Sequence, residues 1–248
     1  MLSSLKSMTL ETPAARTIRS LGLGWSGGKD SALALWTLRE QEGRLPDTFL
    51  TTVTSDYDLV SMHGVRRELL RRQAQLIGVP LVEVEIPARC SNEVYEAQMT
   101  AAFTSAEMVG VEEMAFGDLF LEDIREYRES RLAATGRRAR FPLWGLDTAE
   151  LARRFIAVDF RAILVCVDPR MLDRLFAGRE FDESLLTDLP AEVDPCGENG
   201  EFHTFVYHGP IFSEAVACRG GQVGERDGFV FCDLLVSPNL VAANAPTL

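Results

Sequence analysis

Basic residues are scarce in this 248-residue chain: 25 lysines and arginines stand against 37 aspartates and glutamates, a net charge of −12. Such a balance repels nucleic-acid backbone, so a broad nucleic-acid-binding surface is excluded and only a local basic contact is left open. Cysteine is also sparse. The five thiols, Cys90, Cys166, Cys196, Cys218 and Cys232, are scattered and include no C-x-x-C pair. That excludes a disulfide framework or zinc ribbon and fits reduced, cytoplasmic thiols. No apolar run approaches the roughly eighteen residues that span a bilayer, so no membrane segment is expected. Residues Met1 to Arg16 lack the apolar centre of a secretory signal, and Met8 is a candidate start with a frayed tail before it. Internal repeats and low-complexity segments are missing as well. The 46% hydrophobic content and mean hydropathy of +0.01 are those of a globular protein holding one large domain or two modest ones.

The chain is organised around Ser26-Gly27-Gly28-Lys29-Asp30-Ser31. An apolar run, Ile18 to Trp25, precedes it and a helical one, Ala32 to Glu40, follows. Two glycines at a strand-to-helix junction let backbone N–H groups approach a ligand, and the helix N-terminus adds positive potential. That pattern predicts a phosphate cradle. The Walker pattern fails, because Leu23 stands where its first glycine belongs and Asp30 where its Ser or Thr belongs. A dinucleotide fingerprint at Gly22, Gly24 and Gly27 lacks its acidic partner, since Asp56 comes too late. The contiguous motif instead resembles the loop of the PP-loop ATP pyrophosphatases, which implies cleavage of ATP between its α- and β-phosphates.

Strand-like and helix-like segments then alternate, predicting an α/β fold: a parallel sheet of HUP or Rossmann-like kind with helices on both faces. Strands are expected at Thr48 to Ser55, Leu81 to Ile86 (an exposed or edge strand), Met114 to Phe116 and Ala162 to Val167. Helices are expected from Val65 to Ile77, after a Ser91 cap, and after a capping box at Asp147 to Glu150. The charge run Glu122 to Arg131 reads as a helix with Glu122–Arg125 and Arg125–Glu129 pairs, either a solvated face or part of a site. From Asp168 the texture shifts to short pieces, with strands or hairpins at Phe202 to Tyr207 and Phe229 to Val236, a smaller α+β unit. The expected limits are a tail over 1–15, a nucleotide-binding domain over 16–138, a substrate domain over 139–240 and a tail over 241–248. In a doubly wound sheet the loop, the segment Ser55 to Gly64 and the turn Gly117-Asp118 share one crevice.

A second polar cluster runs from Asp194 to Thr204 and includes Cys196, Glu198, Asn199, Gly200, Glu201 and His203. Turn chemistry, a weak metal site and a Cys196–His203 nucleophilic pair are alternatives to a rigid substrate- or amine-binding loop. The whole set, namely the first loop, Phe116-Gly117-Asp118 with Leu121-Glu122-Asp123 and Arg125, Pro142-Leu143-Trp144-Gly145, and Glu198 to Thr204, resembles the diphthine-ammonia ligase family. The likeness runs from about residue 18 to about 212 in a compact, prokaryotic-type form, with Ile124 where many members carry histidine. It implies an HUP-type nucleotide domain, a smaller domain closing over the nucleotide, and an ATP-dependent amide ligase. Such an enzyme adenylates a carboxylate, aminates it with ammonium, and releases AMP and pyrophosphate.

In that reading Ser26, Gly27, Gly28 and Ser31 hold phosphate, Lys29 offsets its charge, and Asp30 with Asp118 ligates Mg²⁺. Thr54, Ser55 and His63 face adenosine with Gly117 nearby, although His63 also reads as a surface histidine. Glu198, Glu201 and His203 handle the amine's proton, while Glu122, Arg125, Asn199, Gly200 and Thr204 contact substrate. The acceptor carboxylate, on a translation-factor protein or a small molecule, stays open, as does a homo-oligomer. A PP-loop tRNA-modifying enzyme and a non-catalytic adenine-nucleotide sensor are the alternatives.

Overall fold

A computed structural model describes residues 20–61 and 63–237; the expected tails, 1–15 and 241–248, and the candidate start Met8 lie outside them. Five strands run parallel. In chain order the elements begin with β1 (Leu21–Gly24), α1 (Lys29–Glu42), β2 (Thr48–Thr54), a short β3 (Leu59–Val60), α2 (Arg67–Ile77), β4 (Leu81–Ile86) and α3 (Asn92–Thr104). They continue with β5 (Glu113–Ala115), α4 (Glu122–Ala134) and β6 (Arg138–Arg140). β1 lies between β2 and β5, β4 flanks β2 as an edge, β6 flanks β5, and β3 folds back antiparallel on the end of β2. The order reverses between β1 and β5. Ligands of doubly wound sheets sit at such a reversal, beyond the C-terminal strand ends.

The remaining elements, α5 (Thr148–Ala157), β7 (Arg161–Val167), α6 (Glu183–Asp188), β8 (Phe202–His208), β9 (Cys218–Arg226) and β10 (Phe229–Val236), build a second sheet. It is antiparallel, in the order β8-β7-β10-β9.

Local chemistry sets the element ends. Ser91 accepts the Val94 N–H and Asp147 the Glu150 N–H, so α3 and α5 begin on side-chain caps. α2 stops at Gly78, whose φ of 82° lies in the left-handed region. Its apolar stripe buries Leu69, Leu70, Ala74, Leu76 and Ile77. α1 is different: Ala32, Leu33, Ala34, Leu35 and Leu38 are all essentially fully buried. A helix apolar on several sides must be covered on several sides, and α1 touches both β1 and β8. One hydrophobic core therefore runs from the parallel sheet through α1 and α2 to the antiparallel sheet. A smaller core of Leu50, Val84, Phe103, Met108, Met114 and Leu132 fills the opposite face under α3 and α4.

Three strands were not legible. β6 is Arg-Ala-Arg and crosses the expected limit at 138; it pairs with β5 while Arg138 bonds Glu113 and Arg140 bonds Glu42. β9 is glycine-rich and charged, held only on its β10 side. β3 spans only Leu59–Val60.

One buried side chain fastens the glycine loop to both halves. The Gln73 amide receives Trp25 Nε1–H at 3.0 Å and donates to the carbonyls of Gly27 (3.0 Å) and Val206 (2.6 Å). Val206 N–H in turn donates to Gly27 O at 2.9 Å. We predict that Gln73→Leu, which orphans the Trp25 donor, costs about 2–4 kcal/mol in urea unfolding, whereas exposed Gln75→Leu shifts it by under about 0.5 kcal/mol.

Candidate active site

Beyond the C-terminal ends of β1 and β5 lies a cleft of ≈ 590 Å³. Its floor is the glycine loop. Gly27 takes φ +77°, and a Cβ there would strike Gln73 Oε1 at 2.5 Å, so only glycine fits. Gly117 answers from the end of β5: a Cβ would lie 2.7 Å from the Asp30 carbonyl carbon, so the two segments meet in backbone contact. β8 completes the floor, with Thr204 Oγ1 accepting the Lys29 N–H at 3.0 Å, at the first turn of α1.

Ser26, Gly28, Lys29, Asp30, Ser31, His63, Gly117 and Asp118 line this cleft together with Glu198, Asn199, Gly200, His203 and Thr204. Motifs far apart in the chain thus share one cavity.

Two ion pairs and an isolated carboxyl set its electrostatics. Lys29 is 3% exposed and its Nζ lies 2.8 Å from both Asp30 oxygens. Burial opposes the ammonium, but the Asp30 carboxylate, with Cys196 and Glu198, outweighs it and holds the Lys29 pKa above its ordinary value. Lys29 therefore stays charged. The Asp30 pKa is raised, because burial outweighs the pull of Lys29. Asp118 pairs with Arg128, Nε to Oδ2 at 2.7 Å, and the Arg128 guanidinium stacks 4.2 Å from the Phe116 ring centroid.

Glu198 makes no ion pair among the described residues, although the Lys29 charge reaches it. Its Oε1 accepts the Leu119 N–H at 2.8 Å, while burial and then the Asp30 and Asp118 carboxylates push its pKa up to about 7. Unfolding restores the ordinary 4.5, so this group's contribution to stability falls as pH rises from 4.5 to about 7.

The His63 and His203 rings lie against each other, centroids 4.5 Å apart and planes tilted by 34°. Burial lowers the His63 pKa to about 4, and burial, His63 and Lys29 take His203 well below 6.5. Both rings are neutral at pH 7, and His203 is a weak proton acceptor beside Glu198.

Several expected residues sit elsewhere. Glu201 is fully buried and turned into its own loop: it accepts Asp194 N–H, Asn199 N–H and the Asn199 amide at 2.9–3.0 Å. A carboxylate so occupied braces a turn and cannot exchange protons with a ligand. Thr54 bonds Ser61 and Ser55 bonds the Ile86 carbonyl, because β2 runs on to Thr54 and β3 folds back; Thr51, Thr52 and Ser61 line the cleft instead. Glu122 is exposed at the start of α4. Arg125 pairs with Glu129 and lies over the Phe141 and Trp144 rings, outside the cleft.

Gly27 supports the loop from behind through its carbonyl. Cys196 is buried, donates to Thr148 O at 3.3 Å and has its pKa pushed up to about 12, which does not suit a thiolate nucleophile. Among the described residues no group of three metal-ligating side chains occurs.

Arg128 is the residue the charge run concealed. Leu121, Ile124 and Arg128 recur at helical spacing and all line the cleft, a periodicity visible in the sequence.

With this geometry in place, the comparisons with known proteins are decisive for kinship. Residues 19–139 match the model of the diphthamide synthase N-terminal domain, and residues 147–229 match that of its C-terminal domain. The chain belongs to the diphthamide synthase family. A curated member, the diphthine–ammonia ligase of Schizosaccharomyces pombe, is 24% identical over 229 residues, covering 85% of this chain and 38% of the relative. The chain thus spans under two-fifths of that relative's length. The diphthamide synthase architecture, a mostly parallel helix-flanked sheet followed by an antiparallel one, is the α/β organisation expected from the alternating sequence pattern. Among the described residues no helix is long and apolar enough to cross a membrane.

If the negative potential around Glu198 has this origin, its carboxyl carbon titrates near pH 7 by NMR. Asp30→Asn removes one neighbouring charge and moves that midpoint down; an unmoved midpoint contradicts the assignment.

Proposed function

We propose that this chain is an ATP-dependent, AMP-forming amide ligase that joins ammonia to a substrate carboxylate. The observation that carries this reading is a charged, buried Lys29 on a glycine loop, in one cleft with an ionisable carboxyl poised near neutrality. The first suits a polyphosphate and the second suits an amine's proton. The diphthine named for the relative is the acceptor this reading takes first, with a small carboxylic acid second.

ATP fits the cleft by volume, since ≈ 590 Å³ lies within the usual range for small-molecule sites. Loop N–H groups and the Ser26 and Ser31 hydroxyls cradle the β- and γ-phosphates, and Lys29 and Arg128 supply positive charge. A substrate carboxylate oxygen bonds to the α-phosphorus as the bond to the β-phosphate oxygen breaks. Pyrophosphate leaves with that electron pair, its charge offset by Lys29. Ammonia then attacks the acyl carbon, the carbon–oxygen bond to AMP breaks, and the proton lost from nitrogen passes to the Glu198 carboxylate.

Asp30 and Asp118 fit Mg²⁺ by donor type, since that ion takes one or two carboxylates beside phosphate oxygens. Each is held by a cation, so both become free as phosphate draws Lys29 and Arg128 away. Bound there, Mg²⁺ would neutralise charge on the departing pyrophosphate. His203 and His63, neutral and in ring contact, form an uncharged wall. Asn199 and Gly200 line the cleft next to Glu198, Glu201 keeps the loop rigid, and the cytoplasm is the compartment this chemistry fits.

Incubation with ATP, Mg²⁺, ammonium and a diphthine-bearing acceptor is expected to give AMP, pyrophosphate and amide. Lys29→Ala lowers AMP formation by about 10²–10³-fold with the fold retained by circular dichroism. Glu198→Gln lowers amide formation about 10²-fold. Only ionised Glu198 accepts a proton, so the wild-type rate rises with pH through about 7. The ratio of variant to wild-type rate falls across that same window. ADP as product, or ATP binding with no turnover on any carboxylate, overturns the reading.

A further inference from the structure

A second cavity, of ≈ 240 Å³, lies on the other side of His203, between the end of β2, the β3 turn and the β9–β10 hairpin. Val60 and His203 belong to its lining and to that of the larger cleft, so the two spaces share a wall. It is smaller than typical small-molecule pockets and admits a single side chain, not a nucleotide. Most of its lining is apolar, including Leu59, Phe229 and Phe231.

Arg226 stands out among the polar and charged groups of the lining, which also include Thr54, Arg89, His203 and Asp227. The Arg226 guanidinium carbon lies over two rings, 5.1 Å from the Tyr57 centroid and 4.4 Å from that of Phe231. It is half-buried and makes no hydrogen bond or ion pair among the described residues. Rings packed against a guanidinium restrain it while leaving its N–H fork available to a planar bidentate acceptor. Gly64 makes the approach tight: a Cβ there would lie 2.5 Å from Phe231 and 3.4 Å from Arg226 Nη2. The other arginine of the lining, Arg89, is 92% exposed and sits 3.8 Å from Asp227, so it is a rim charge with its own partner.

We propose that this cavity is the acceptor site: it takes the carboxylate-bearing side chain of the substrate, with Arg226 holding the carboxylate and Tyr57 and Phe231 holding Arg226. The neutral imidazole of His203 is then the partition past which the acceptor meets the nucleotide. A half-buried guanidinium attracts a carboxylate more strongly than one in water, against the Asp227 carboxylate that shares the lining. The acceptor role rests on the ligase reading, whereas the carboxylate site does not.

The test uses butyrate as probe, on the full chain with ¹⁵N-labelled arginine side chains. Titration is expected to shift the Arg226 Nε–H resonance saturably, with sodium chloride at equal ionic strength and butylammonium giving no such shift. No saturable shift at Arg226, or the same shift with butylammonium, overturns the site. In turnover, Arg226→Gln is expected to raise the acceptor KM about 10–100-fold, with Arg226→Lys intermediate and ATP affinity within about twofold of wild type. An unchanged acceptor KM overturns the acceptor role. Saturable butyrate binding by a protein that makes no AMP with any acceptor sinks the ligase reading and leaves the carboxylate site standing.

Discussion

The glycine loop is held from behind, and that restraint is what the rest of the molecule depends on. Its Gly27 carbonyl is shared by the Gln73 amide and the Val206 N–H, while Gln73 also satisfies the indole of Trp25. Each of these groups is buried, so each must find a partner inside the protein. The outcome is that α2, the parallel sheet and β8 all converge on one peptide. With its rear fixed, the loop turns its other face, Gly28 through Ser31, to the cleft. α1, covered by both sheets, cannot shift without breaking the shared core.

The same closeness governs the charges. Removing Lys29 and Asp30 from water would be costly for either alone, and they offset each other at 2.8 Å. Arg128 does the same for Asp118. At Glu198 burial and the neighbouring carboxylates outweigh the pull of Lys29, and the result is a carboxyl that exchanges its proton near pH 7. The loop that presents Glu198 is rigid because Asp194 and Glu201 occupy its amides, so a carboxylate expected to take part in chemistry serves to position another.

Much of this was legible in the sequence because the signals are local. Glycines beside a lysine, a serine cap before α3, an apolar stripe along α2 and a capping aspartate before α5 each act within a few residues. What the sequence hid depends on contacts at a distance. Whether Glu201 faces in or out is decided by the amides around it, not by its neighbours in the chain. Thr54 and Ser55 miss the cleft because β2 extends and β3 returns across it, shifting the lining to Thr51, Thr52 and Ser61. β6 and β9 carry arginine and glycine where strands usually carry β-branched residues, and pairing with β5 and β10 overrides that preference. Arg128 was the near miss, since its helical spacing from Leu121 and Ile124 was available and the charge of the run obscured it.

The central claim is that loop 26–31 and strand β8 with its preceding turn form one nucleotide-gripping unit, although they lie far apart in the chain. Amide hydrogen exchange with and without an ATP analogue blocked between its α- and β-phosphates measures this directly. The account predicts that segments 26–31 and 198–204 gain protection together, with the same midpoint in analogue concentration. Protection of one segment without the other, or of neither, would contradict it.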